Sequence, residues 1–235
     1  MITAMILAGG NGSRVGADRP KQFIEVLGRP ILAYTIDIYE KNSKIDAIEI
    51  VCHKEWIGYV KNIVSEEKMT KVKWIVVGGK TFLESVICGI NGLEGYMGKN
   101  DIVMIHYGAS PLTSQEIIED SIRVCNEHNM SVSCTPCYQL MGNNEEMTYS
   151  SSFVDRDKII QLCCPQSFEF LYLKELFSRG KGTGLLNVVE PHITSLMYEL
   201  GDKIYLSYGN QANIKITTKD DILFFEIIAR GMRNS

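Results

Sequence analysis

The chain has 235 residues, of which 45% are hydrophobic and 22% charged, and its formal net charge is −4. That length suits one α/β domain with a substantial core, and the balance is ordinary for a soluble globular protein. The mild acidity offers no basic surface for nucleic acid, and no apolar run reaches membrane-spanning length.

Apolar runs at 2–8, 46–52, 73–77, 101–106 and 130–136 have strand length and are rich in Val, Ile and Met. The first starts almost at Met1, so no cleavable leader is expected. Helix-like segments near 31–41, 55–67, 81–94 and 114–128 lie between the strands. Thr113-Ser114 ahead of Gln115-Glu116 predicts a helix start, with a carboxylate at the positive end of the dipole. Strands alternating with such helices imply crossover units and a mostly parallel sheet. From 138 to 164 the pattern changes to short strands around a polar tip at Gly142-Asn143-Asn144, which reads as a protruding β-arm. Helices return near 169–178 and 193–200, followed by a strand at 203–208, the segment NIKIT at 213–217 and a closing helix from about 219. The expected fold is α/β and Rossmann-like, with helices on both faces of the sheet. Residues 1–235 form one domain in this reading, with the arm as an insertion at about 138–164.

The chemistry begins in LAGGNGSRVGADRPKQF, residues 7–23. Glycines expose backbone amides without a side chain in the way, and a ring of amides beside Arg14, Arg19 and Lys21 predicts an anion site. The loop is not a P-loop, because Ser13-Arg14 follows Gly12 where Lys-Ser/Thr is required. Nor does it fit a dinucleotide fingerprint. Val15 stands at the third glycine, and the second strand ends in Cys52-His53-Lys54 rather than a carboxylate. In open parallel sheets, ligands lie beyond the carboxyl ends of the strands, where this loop falls.

Other clusters carry less. Seven cysteines, at 52, 88, 125, 134, 137, 163 and 164, suit a reducing cytoplasm better than a disulfide framework. Cys134 and Cys137 have metal-pair spacing, but the adjacent Cys163 and Cys164 would point to opposite faces of a strand. His106, at a strand end, points toward the ligand crevice or bonds loop backbone. Lys215, between isoleucines on an expected strand, must reach an anion or the surface.

Taken together, LAGGNGSR, PKQF, GGKTFLESV (78–86), MIHYGASPLTS (104–114), FVDRDKI (153–159), CPQSF (164–168) and NIKIT (213–217) resemble, in that order, the alditol-phosphate cytidylyltransferase family. That group contains the methylerythritol-phosphate and ribitol-5-phosphate enzymes. The resemblance covers nearly the whole chain and implies a nucleotidyltransferase-type domain that moves CMP from CTP to a small alditol phosphate. It implies that Ala8, Gly9, Gly10 and Gly12 wrap the nucleotide, with Gly79 and Ser85 at cytosine and ribose. Arg14, Lys21 and Lys215 would stabilise charge during transfer, and Arg156 and Thr217 would hold the acceptor. Mg²⁺ is the implied cofactor, arriving with CTP, and a homodimer clasped through the arm is the implied assembly.

Four places depart from the family motifs. The strand-end motif His-Asp-x-x-Arg-Pro is here His106-Tyr107-Gly108-Ala109-Ser110-Pro111, so Tyr107 occupies the usual Asp position and Ser110 the usual Arg position. Phe82 stands where arginine is common, Leu140 falls near an expected threonine, and Pro191-His192 replaces a Thr-Asp pair. A second reading therefore stays open at this stage: a nucleotide-binding relative with little turnover that serves as a partner subunit.

Overall fold

A computed structural model describes residues 1–10 and 19–234. The chain runs from strand β1 (Ile2–Ala8) through a small hairpin of β2 (Glu25–Val26) and β3 (Arg29–Pro30) to helix α1 (Ile31–Glu40). Then follow β4 (Ala47–Cys52), α2 (Ile57–Glu66), β5 (Val72–Val77), α3 (Phe82–Leu93), β6 (Ile102–Tyr107), α4 (Gln115–His128) and β7 (Met130–Pro136). The arm carries β8 (Met141–Gly142) and β9 (Phe153–Val154). The chain closes with β10 (Ile160–Glu169), α5 (Phe170–Gly182), α6 (Ile193–Glu199), β11 (Leu206–Tyr208) and α7 (Lys219–Asn234).

The central sheet has the order β11-β7-β10-β6-β1-β4-β5. All neighbours are parallel except β10, which is antiparallel to both β6 and β7. Alternate residues of a strand face opposite sides, and here both sides are apolar. Ala4, Ile6 and Ala8 of β1 pack with residues of α1, α2 and α4. Met5 and Leu7 pack with residues of α3, α5 and α6 on the other face. Helices on both faces are what a parallel sheet of continuous apolar strands requires, so the expected α/β architecture stands.

Local signals also hold. The Ser114 side chain accepts a hydrogen bond from the Ile117 N–H at 3.3 Å and caps α4. Asn129 closes that helix in the left-handed region at φ 64°.

The second half differs from expectation at three points. Residues 160–164, read from sequence as the end of the arm, are the first residues of β10 in the central sheet. The expected strand at 203–208 is shorter, covering Leu206–Tyr208. NIKIT is not a strand; it is irregular chain held by the Ile216 N–H donating to the Ala109 carbonyl at 2.8 Å. Ile216 is fully buried there with Ala109, Leu112, Phe225 and Ala229. This packing fixes the segment before α7 against the loop that follows β6.

Candidate functional site

The carboxyl ends of β1, β5 and β6 open onto a cleft of about 310 Å³. Its lining includes Gly9, Gly10, Lys21, Gly79, Ser85, Tyr107, Lys215 and Thr217, so the fold gathers residues spread over more than 200 positions of sequence. Gly12 and Arg14 lie outside the described residues.

Each wall has a local cause. Gln22, which is buried, donates from Nε2 to the carbonyl oxygen of Ala8 at 2.6 Å and to that of Gly10 at 3.0 Å. Both amide hydrogens are thereby spent on the glycine turn. Ala8 itself packs into the core, so it contributes backbone rather than side chain to this wall. The second wall is the start of α3. Thr81 Oγ1 accepts from the Glu84 N–H at 3.1 Å, and the Glu84 carboxylate accepts from the Lys80 N–H at 2.6 Å. This reciprocal cap presses the turn so closely that a Cβ on Gly79 would collide with Glu84, reaching 2.9 Å from its backbone carbonyl carbon. Glycine is required there by space alone.

The third wall is Tyr107 with the NIKIT segment. The Gly108 N–H donates to the Leu7 carbonyl at 2.9 Å, and a Cβ at 108 would come within 3.1 Å of that same oxygen. Lys215 Nζ lies 3.7 Å from the centroid of the Tyr107 ring. Phe82 lies 5.6 Å from Tyr107 and 5.7 Å from His192, ring to ring. Three of the departures noted in the sequence, at 82, 107 and 192, are therefore neighbours in one group. Burial first, and then the Cys164 and Cys163 thiols, push the Tyr107 phenol far above its ordinary range, so it stays neutral. Burial, then the charge of Lys215, lower the His192 imidazole, against a weaker opposing pull from Glu190.

His106 does not reach the cleft. It is fully buried, with Nε2 at 2.8 Å from Thr113 Oγ1 and 3.3 Å from Cys164 Sγ, and Nδ1 at 2.9 Å from the Tyr107 carbonyl oxygen. Thr113 donates on to Asn213 Oδ1 at 2.8 Å, and Asn213 Nδ2 donates to the Cys164 carbonyl at 2.6 Å. The network ties β6, β10 and the NIKIT segment together behind the site.

Arg156 lies on the arm, where it donates to the Tyr138 carbonyl at 2.9 Å, and it is not among the residues lining the cleft. Sequence reasoning passed over Gln22, Lys80 and Thr81. Lys80 could have been found, because GGKT places a cation directly after a glycine pair that was already singled out.

The described lining residues bring three lysines, Lys21, Lys80 and Lys215, and no Asp or Glu. Partial burial pushes the nearby Asp221 carboxyl up, but hydrogen bonds from Thr218 and Thr217 and the charge of Lys21 outweigh this and hold it below its usual range. Among the described residues, no cluster of His, Cys, Asp or Glu could hold a metal ion. The described lining residues thus fit a polyanion.

The sequence matches the family described as IspD, 2-C-methyl-D-erythritol 4-phosphate cytidylyltransferase, over residues 2–231. It is 30% identical to a ribitol-5-phosphate cytidylyltransferase of Lacticaseibacillus paracasei over 98% of both chains. It is 34% identical to a 2-C-methyl-D-erythritol 4-phosphate cytidylyltransferase of Clostridium acetobutylicum, again over 98% of both. The fold superposes on the crystal structure of 4-diphosphocytidyl-2C-methyl-D-erythritol synthase from Anaerococcus prevotii with a TM-score of 0.80 at 24% identity, covering 98% of this chain and 96% of that one. A sheet of this order, an anion cleft at its carboxyl edge and a match over almost the whole length agree: the chain belongs to the 2-C-methyl-D-erythritol 4-phosphate cytidylyltransferase family.

Proposed function

We propose that this cytidylyltransferase moves CMP from CTP to a five-carbon alditol phosphate, of the ribitol 5-phosphate or 2-C-methylerythritol 4-phosphate type for which its relatives are named. A phosphate oxygen of the acceptor attacks the α-phosphorus of CTP. A new P–O bond forms, the bond from the α-phosphorus to the bridging oxygen breaks, and pyrophosphate leaves with the electron pair. No protein nucleophile is needed, so the protein contributes positioning and electrostatics.

The observation that carries this reading is a cleft whose described lining brings Lys21, Lys80 and Lys215 around a glycine turn and no Asp or Glu. Backbone N–H groups at Gly9 and Gly10 serve the triphosphate, Gly79 and Ser85 face the nucleoside, and Lys21 and Lys215 meet the charge that grows at the α-phosphorus. Thr217 serves the acceptor. The cleft volume is at the small end of ligand sites, which favours a pyrimidine over a purine. No step runs through a protein-held magnesium ion; magnesium enters as the counter-ion of CTP.

The reading includes a homodimer. Leu140, Met147 and Phe153 of the arm are 91%, 87% and 83% exposed, more apolar surface than a short arm leaves bare without a partner. A clasped arm would also bring Arg156 to a neighbouring subunit's acceptor site. The cytoplasm is the proposed compartment, supported by seven free thiols. No helix among the described residues is long and apolar enough to cross a membrane.

The test is pyrophosphate release with CTP and Mg²⁺ against ribitol 5-phosphate, 2-C-methylerythritol 4-phosphate and glycerol 3-phosphate. Release with one five-carbon acceptor is expected. CTP binding without release for any acceptor would favour the low-turnover partner subunit instead.

A further inference from the structure

His106 and Cys164 are both buried, behind the wall of the cleft rather than in it. The transfer chemistry uses neither, yet their hydrogen bonds fix their charge. Asn213 Nδ2 donates to the Cys164 carbonyl, which sets the orientation of the amide and leaves Oδ1 to accept from Thr113. The single hydroxyl hydrogen of Thr113 is spent there. Toward His106 its oxygen can only accept, so Nε2, at 2.8 Å, carries a hydrogen. On the other side of the ring, Nδ1 lies 2.9 Å from the Tyr107 carbonyl oxygen, which also can only accept. Both ring nitrogens therefore donate, and an imidazole with two N–H groups is a cation.

A buried cation needs an anion. The group beside the ring is Cys164 Sγ, 3.3 Å from Nε2. Burial alone would push that thiol up. The His106 ring, then the Ser110 hydroxyl and a backbone hydrogen bond from Tyr107, outweigh burial and hold it below its ordinary range. The other titratable side chains facing the pair stay neutral. Tyr39 of α1 and Tyr107 at the end of β6 are both raised by burial and then by Cys164. Cys163 is pushed up to about 11 by burial first, then by Cys164 and Cys134.

We propose that His106 and Cys164 form a buried imidazolium–thiolate pair that, through Thr113 and Asn213, pins the start of the NIKIT segment against the end of β6. Both are positioning residues in this scheme. The segment they hold brings Lys215 and Thr217 to the cleft, and charge-assisted hydrogen bonds hold it more firmly than neutral ones. The pair stands apart from the reaction, whereas its effect on turnover rests on the cleft being the transfer site.

The full chain is tested at about pH 7.5, where an ordinary imidazole is mostly neutral and an ordinary thiol mostly protonated. Nitrogen NMR of histidine-labelled protein should find hydrogen on both ring nitrogens of His106, identified by its loss in His106→Asn. The ultraviolet band of thiolate should shrink in Cys164→Ser, and equally in His106→Asn, which keeps the sulfur. A bare His106 ring nitrogen in wild type, or an unchanged band in either variant, overturns the pair. Cys164→Asp supplies a carboxylate of similar size and separates charge from packing. It should keep His106 doubly protonated, where Cys164→Ser should not. The pinning is read at the Ile216 amide, which donates to the Ala109 carbonyl. Its hydrogen exchange should quicken on the order of tenfold in Cys164→Ser and stay within about threefold of wild type in Cys164→Asp. The kcat/KM for pyrophosphate release should fall and recover in the same order. Exchange that is as fast in Cys164→Asp as in Cys164→Ser overturns the positioning role. Should Cys164→Ser fail to fold, the wild-type ring state and the Cys164→Asp exchange still decide. Both spectroscopic signatures and the exchange pattern without pyrophosphate release uphold the pair and remove the transfer reading.

Discussion

The Gln22 side chain holds the carbonyl oxygen of Ala8, 14 residues earlier in the chain, at 2.6 Å. With its second bond to Gly10, this one amide fixes the direction in which β1 hands the chain to the cleft. Gln22→Leu removes both bonds and takes this partner from the Ala8 carbonyl in a buried place. A weakening of CTP binding equivalent to about 1–3 kcal/mol is expected, with Gln22→Glu worse than Leu because a carboxylate would face two carbonyl oxygens. Calorimetry with CTP on both variants checks this; unchanged affinity would show that the turn holds its shape without the amide.

Lys21 is the lining cation best placed by sequence and structure together, next in the chain to Gln22. Lys21→Ala should lower turnover by about 10²–10³-fold, since one donor to transition-state charge typically carries that much. Its thermal midpoint should stay close to wild type. A variant within a few-fold of wild-type rate would move the catalytic charge to another lysine.

A pH effect on stability follows from Glu49, far from the chemistry. This residue of β4 is fully buried, and neither carboxyl oxygen has a hydrogen-bond partner. Burial pushes its pKa from 4.5 up to about 9. The folded chain therefore keeps a proton that the unfolded chain releases once the pH exceeds 4.5. Between these two values the unfolded form binds fewer protons, so stability falls as pH rises, by up to about 1.4 kcal/mol per pH unit. Glu49→Gln cannot titrate. Thermal midpoints measured from pH 5 to 8 should fall more steeply for wild type than for Glu49→Gln; parallel curves would mean that the carboxyl finds a partner in solution.

The subunit reading is tested on the arm. Sedimentation should find a dimer at micromolar concentration. Phe153→Asp, at a position 83% exposed and so free of packing duties in the isolated fold, should shift the equilibrium toward monomer without lowering the thermal midpoint of the monomer. A wild-type monomer would refute the clasp and leave Arg156 without a route to an acceptor.

Much of this molecule was legible before its coordinates. Strands β1, β4 and β6 are buried along almost their whole length, so each announces itself as an apolar run broken by one polar residue, Thr3, Glu49 or His106. β10 was missed for a physical reason. Pro165 lies inside it, where the pairing with β7 shifts register between Leu162 and Gln166, and a proline normally argues against a central strand. NIKIT alternates like a strand, yet Ile216 is buried by α7 and the β6 loop rather than by a sheet. Within the cleft, Gly9, Gly10, Gly79, Lys21, Lys215 and Thr217 could be read from motif. Gln22 could not be: its role lies in two backbone carbonyls that only the fold brings within reach. The aromatic group at 82, 107 and 192 looked like three unrelated losses until distance joined them.

Pro136 and Ile160 are register partners at the root of the arm. The chain leaves the sheet at one and re-enters it at the other, so the 23 residues between them form a module hung from a closed pair of strands. Such a pair can be joined by a two-residue Asn-Gly turn without asking either strand to move. The fold thus contains the outline of a shorter protein, with its cleft and its sheet complete, in which a subunit's own chemistry could be watched apart from anything a neighbour lends it.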